Sequence, residues 1–118
     1  MRKVIAAIVL AILILPINSK ANETITKKPK WISKVAWAIG ICETGKGNSY
    51  PDFKHDGGVY EGFVGWYVGT WNLDKPKGYP YHPYDATPRQ QNKVMAISMR
   101  KHRHFGCYAN GGYRVWMK

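Results

Sequence analysis

Six glycines between residues 45 and 65 (45, 47, 57, 58, 62 and 65) and four of the seven prolines between 76 and 88 (76, 80, 83 and 88) leave this chain few places for long regular elements. Glycine in an element's interior costs backbone entropy, and proline removes an N–H that helix and strand both use. The glycine-rich segment is interleaved with Tyr50, Phe53, Val59, Tyr60 and Phe63, a pattern that predicts short strands and turns. Residues 74–88 read as a loop. Between them, Trp66-Tyr67-Val68 followed by Thr70 and Trp71 has room for one or two helical turns. Longer helices are confined to the stretch before Gly45 and the stretch after Thr87.

The N-terminus has its own logic. Met1–Lys3 form a positive start, Val4–Ile17 is an apolar run of about 14 residues, and Ser19-Lys20-Ala21 places small residues where a signal peptidase reads them. We expect a signal peptide over 1–21; an uncleaved membrane anchor is the competing reading, but the run falls short of the roughly 20 residues that span hydrocarbon. Polar residues 22–30, with Pro29, read as a linker, and the folded domain as 31–118. Of the 118 residues, 18 are Lys or Arg and seven are Asp or Glu, a net charge of +11. Cleavage would remove Arg2, Lys3 and Lys20 and no acid, leaving +8. Five Trp and eight Tyr argue for a packed core rather than a disordered polycation, so the charge by itself does not indicate nucleic acid.

Apolar residues at Ile32, Val35, Ala36 and Ile39, with Lys34 on the far side, predict a first helix stopped by Gly45 and Gly47. The second start is sharper: Thr87 stands at the N-cap, Pro88 at the first helical position, and Gln90 completes a capping box. Val94, Met95, Ile97 and Met99 supply its apolar face, and the basic run Arg100–His104 reads as solvated. The overall pattern is α+β, two helices clamping a small irregular sheet. An even cysteine count in a small exported domain favours a Cys42–Cys107 disulfide, closing a loop of about 66 residues and worth roughly 4 kcal/mol. Metal is the alternative use, with His102, His104 and the two cysteines, but their spacing matches no zinc framework and basic residues crowd them. We assign no metal and no cofactor.

Glu43 breaks two local rules. Counting back along the first helix by four, three and four reaches Ile39, Ala36 and Ile32, so the carboxylate projects from the apolar stripe, and it sits at the negative end of the helix dipole. Such conflicts concentrate at functional sites. A carboxylate held partly out of water retains its proton longer, the property a general acid needs. Fraying of the last turn, or pairing with Lys46, is the plainer explanation. Asp52, Asp56 and Glu61 lie where Asp and Gly shape turns.

The run Ile41-Cys42-Glu43-Thr44-Gly45, with Trp37 before it and Asn48 after, resembles the Cys-Glu-Ser/Thr-Gly-Gly-Asn signature of the transglycosylase-like domain of resuscitation-promoting factors. Tyr60-Glu61-Gly62, Gly69-Thr70-Trp71, Ala86-Thr87-Pro88-Arg89-Gln90-Gln91 and a tail ending near Trp116 follow in the family's order. The resemblance implies a small, reduced lysozyme-like fold, secreted to the cell wall, that cleaves peptidoglycan between N-acetylmuramic acid and N-acetylglucosamine. It implies that Glu43 is the single catalytic acid, and it supports the Cys42–Cys107 pairing. One departure stands out: where many members read Gly-Gly-Leu-Gln-Phe, this chain reads Gly62-Phe63-Val64-Gly65-Trp66, so a substrate-binding glutamine is absent.

Sugar rings present apolar CH faces, which makes Tyr60, Trp66, Tyr67 and Trp71 candidate subsite residues, with Thr70 as a hydrogen-bonding partner for an acetamido group; core packing is the competing use of each ring. Expected partners are peptidoglycan glycan strands, anionic cell-wall polymers attracted by the surplus charge, and a peptidoglycan endopeptidase; we expect a monomer and no nucleic-acid partner. Two rival classes are a non-catalytic wall-binding module of the same fold and a membrane-active basic peptide, the latter at odds with the structured glycine-rich middle.

Overall fold

The computed structural model describes residues 24–118, so the expected leader lies outside the described residues. Helix α1 spans Lys34–Thr44. Ser33 caps it, its Oγ accepting from the Ala36 N–H at 3.0 Å, and Lys46 and Gly47 leave it through positive φ. The helix begins two residues later than Ile32, which is itself buried. Ala36–Ile41 are all buried, so α1 is not the one-sided helix that the periodicity suggested. A helix covered on most sides lies within a core.

Strands β1 (Tyr60–Glu61) and β2 (Trp66–Tyr67) pair antiparallel, Tyr60 opposite Tyr67 and Glu61 opposite Trp66. Gly62 and Gly65 turn the hairpin with φ of +80° and +67°. At Gly62 a Cβ would stand 2.9 Å from Pro83 and 3.0 Å from both Gln91 and Trp66, so no larger residue fits. Helix α2 (Val68–Asp74) follows directly, then the proline loop with a 3₁₀ turn at Pro83–Asp85. Helix α3 (Pro88–Arg100) starts with the expected capping box, Gln90 N–H to Thr87 Oγ1 and Thr87 N–H to Gln90 Oε1. A short α4 (Gly106–Ala109) and a 3₁₀ turn (Gly112–Trp116) close the chain against α1. Among the described residues the architecture is α+β, four helices and one two-stranded sheet, stapled by the Cys42–Cys107 disulfide between α1 and α4.

The core is aromatic: Phe53 stacks on Phe63 at 4.6 Å, and the Trp66 ring meets Trp71 edge-on at 4.8 Å. Such pairs contribute about 0.5–1.5 kcal/mol beyond area burial. The buried face of α3 differs from the expected one. It runs Gln91, Val94, Met95, Ser98, with polar residues at both ends, while Ile97 and Met99 are only half-buried. Gln91 explains itself. Its Oε1 accepts from the Phe63 N–H at 2.9 Å and its Nε2 donates to the carbonyls of Phe53 and Ala86 at 2.8 and 3.1 Å, so one amide ties the hairpin and the glycine-rich segment to α3. Thr44 does the same from α1, its Oγ1 bonding the Phe63 carbonyl and accepting from the Asp52 N–H. Residues 24–30 are mostly exposed, yet Ile25 packs on the core and Lys28 Nζ donates to the Ile32 carbonyl, so this arm is docked. No helix of the described residues is long and apolar enough to cross a membrane.

Candidate active site

At the C-terminal end of α1 a cleft of about 480 Å³ opens between the hairpin and the segment leading into α4. Glu43 lines it from α1, His55, Tyr60 and Gly65 from the hairpin side, and His104, Phe105 and Gly106 from the other wall. The Glu43 side chain is half-buried rather than frayed, and it makes no ion pair with Lys46. Its Oε2 accepts from the Cys107 N–H at 2.8 Å, beside the disulfide that Cys107 makes with Cys42. One carboxylate oxygen is thereby fixed by the far wall.

The other candidate acids are occupied elsewhere. Asp52 Oδ1 accepts from the Lys54 N–H and Asp56 Oδ1 from the Gly58 N–H, both local turns. Glu61 faces away from Tyr60, as alternation in a strand requires, and is buried with His82 Nδ1 at 3.0 and 3.2 Å from its two oxygens. Glu43 is the one acidic side chain lining the cleft among the described residues.

A second electrostatic centre sets the cleft's far wall. Asp74, at the end of α2, is 4% exposed and accepts from Ser98 Oγ at 2.7 Å, Arg103 Nε and Nη2 at 3.1 and 2.9 Å, and Lys101 Nζ at 3.3 Å. Burial pushes the Asp74 carboxyl up, but the hydrogen bonds from Arg103, Ser98 and Lys101 and the Arg103 charge outweigh it and hold the pKa at about 2. The basic run is therefore not uniformly solvated: Lys101 and Arg103 fold back onto Asp74, and His104-Phe105-Gly106 follow directly.

Among the residues proposed to bind sugar, Tyr60 lines the cleft and Tyr67 stands opposite it across the hairpin, both more than half exposed. Thr70 is half-buried in the first turn of α2 and does not line the cleft. Trp66 and Trp71 require correction as subsite residues. They are 1% and 0% exposed, with the Trp66 indole N–H on Ser98 Oγ and that of Trp71 on the Pro80 carbonyl, so their rings are core. His55 and His104 also line the cleft; the sequence around His104 suggests at most a metal ligand, and nothing in the pattern around His55 marks it. Both cysteine sulfurs are consumed by the bridge, and no group of three or more His, Cys, Asp and Glu suited to a metal occurs among the described residues. No family model, curated protein or solved structure matches the chain.

Proposed function

We propose that this chain is a secreted, lysozyme-like glycosidase of cell walls, in which Glu43 cleaves the glycan strand of peptidoglycan between N-acetylmuramic acid and N-acetylglucosamine. One observation carries the reading: a lone half-buried carboxylate, one oxygen held by the Cys107 N–H, lines an open cleft beside the exposed Tyr60 ring. Glycoside cleavage needs a proton on the leaving oxygen and stabilisation of an oxocarbenium-like transition state. Glu43 delivers the proton. With no second carboxylate on the cleft wall among the described residues to activate water or form a glycosyl ester, the muramic C6 hydroxyl attacks C1 and returns its proton to Glu43, leaving a 1,6-anhydro end. Tyr60 and Tyr67 offer rings to sugar CH faces, and the chain's surplus positive charge draws it to anionic wall polymers.

Glu43→Gln tests this directly, because glutamine keeps an oxygen acceptor for the Cys107 N–H while losing the transferable proton. Release of muropeptides from purified walls should fall by roughly 100-fold or more with the melting temperature unchanged. Mass spectrometry should find the parent's products lighter by one water than hydrolytic ones. Equal release by variant and parent would sink the proposal.

A non-catalytic wall-binding module of the same fold is the second reading, favoured by Gly65. It lines the cleft at φ +67°, where a glutamine would be strained, so the side chain expected to bind substrate cannot simply be restored. Wall binding by a parent protein that releases no muropeptide would establish it.

A further inference from the structure

On the side of α1 away from the cleft lies a second groove, of about 330 Å³, bordered by Lys28, Lys34, Trp37, Val115, Trp116 and Lys118. Lys34, Trp37 and Ile41 form an i, i+3, i+7 stripe, and Glu43 is about 200° around the helix from Ile41, so groove and cleft open on opposite faces. Among the described residues, no carboxylate side chain lines the groove. One of its cations is placed against local stability. Lys34 is the first residue of α1, at the positive end of the helix dipole, where an acid would be favoured. Lys28 has its ammonium braced by the carbonyls of Pro29 and Ile32 at 3.2 and 2.9 Å, which orients the charge and leaves a third N–H. Val115 and Trp116 are 65% and 38% exposed. Three lysines border one groove whose described lining holds no acidic side chain, over an exposed indole and valine, a combination that suits an anion with CH surface.

We propose that this groove binds a polyol phosphodiester chain, the phosphates meeting Lys28, Lys34 and Lys118 and the polyol carbons lying on Trp116 and Val115. The concavity favours a linear chain over a bilayer, which meets convex surfaces. The recessed Trp37, 7% exposed, leaves Trp116 as the single ring open to stacking, a poor platform for successive nucleobases. The site operates whether or not Glu43 is an acid catalyst, and its test needs no turnover. Binding to immobilised poly(glycerol phosphate) is measured for the parent, for Lys34→Glu with Lys118→Glu, for Trp116→Ala, and for a control with the same charge change, Lys75→Glu with Lys77→Glu. The groove pair should weaken binding about tenfold or more at low salt, and the control by less than about twofold. Trp116→Ala should weaken it in a manner that salt does not remove. Equal losses in the groove pair and the control would reduce the effect to diffuse net charge and overturn the proposal. So would tighter parent binding to a single-stranded oligonucleotide of equal charge or to anionic vesicles.

Discussion

Replacing Gln91 with Met removes an amide that no water reaches and three backbone partners depend on. The side chain is fully buried, and its bonds to the Phe63 N–H and to the carbonyls of Phe53 and Ala86 are 2.8 to 3.1 Å long. Methionine has nearly the same length and volume, so no cavity is opened and the loss is in hydrogen bonding. Each orphaned buried backbone group costs about 1–3 kcal/mol, and three of them, less about 1 kcal/mol gained from burying an apolar chain, give a loss of about 2–8 kcal/mol. Domains of this kind hold about 5–15 kcal/mol in total, so a large share disappears. Urea unfolding followed by tryptophan fluorescence measures it: at an m-value of about 1–1.5 kcal/mol/M the midpoint should move down by roughly 1.5 M or more, or the protein should not fold. A loss under about 1 kcal/mol would refute the idea that this amide fastens the hairpin to α3.

Two other perturbations follow from the ion cluster and the bridge. Asp74, held at about 2 against an ordinary 3.8, is lowered in the folded state, so its stabilisation is complete above pH 4 and lost as pH falls toward 2. That contribution is about 2 kcal/mol; Asp74→Asn should flatten urea stability over this acid range, and an unchanged slope would show that the loss arises elsewhere. Replacing Cys42 and Cys107 together by Ser should cost roughly 4 kcal/mol, read as a lower urea midpoint. A change below about 1 kcal/mol would mean that the fold does not depend on the staple.

The parts of the fold written in local chemistry were legible in the sequence. Thr87, Pro88 and Gln90 cap α3 through contacts three residues apart, and the glycines and prolines that forbid long elements act where they stand. The α+β pattern and the Cys42–Cys107 pair followed. What escaped depends on partners distant in the chain. Gln91 and Ser98 fall outside the apolar face that the sequence suggests, because polarity is a good guide only when no buried backbone group needs a bond. Arg103 read as solvated because Asp74 is 29 positions away. The tryptophans misled for the opposite reason: an indole has both an apolar body and a donor, so Trp66 and Trp71 suit a sugar cleft and a core equally, and only burial decides. In the candidate site, Glu43 was visible as a conflict with its own helix. The amide that holds it comes from Cys107, which no periodicity reveals.

That last contact has a consequence in time. Glu43 receives its hydrogen bond, and Cys42 its sulfur, from the same residue 64 and 65 positions later. Any chain still being synthesised short of residue 107 has one cleft wall and an untethered carboxylate. Contacts of such long range also close slowly, because loop entropy is lost before they form. The cleft is thus assembled only once residue 107 has emerged and its sulfur is bridged, so order of synthesis sets when this carboxylate is in position.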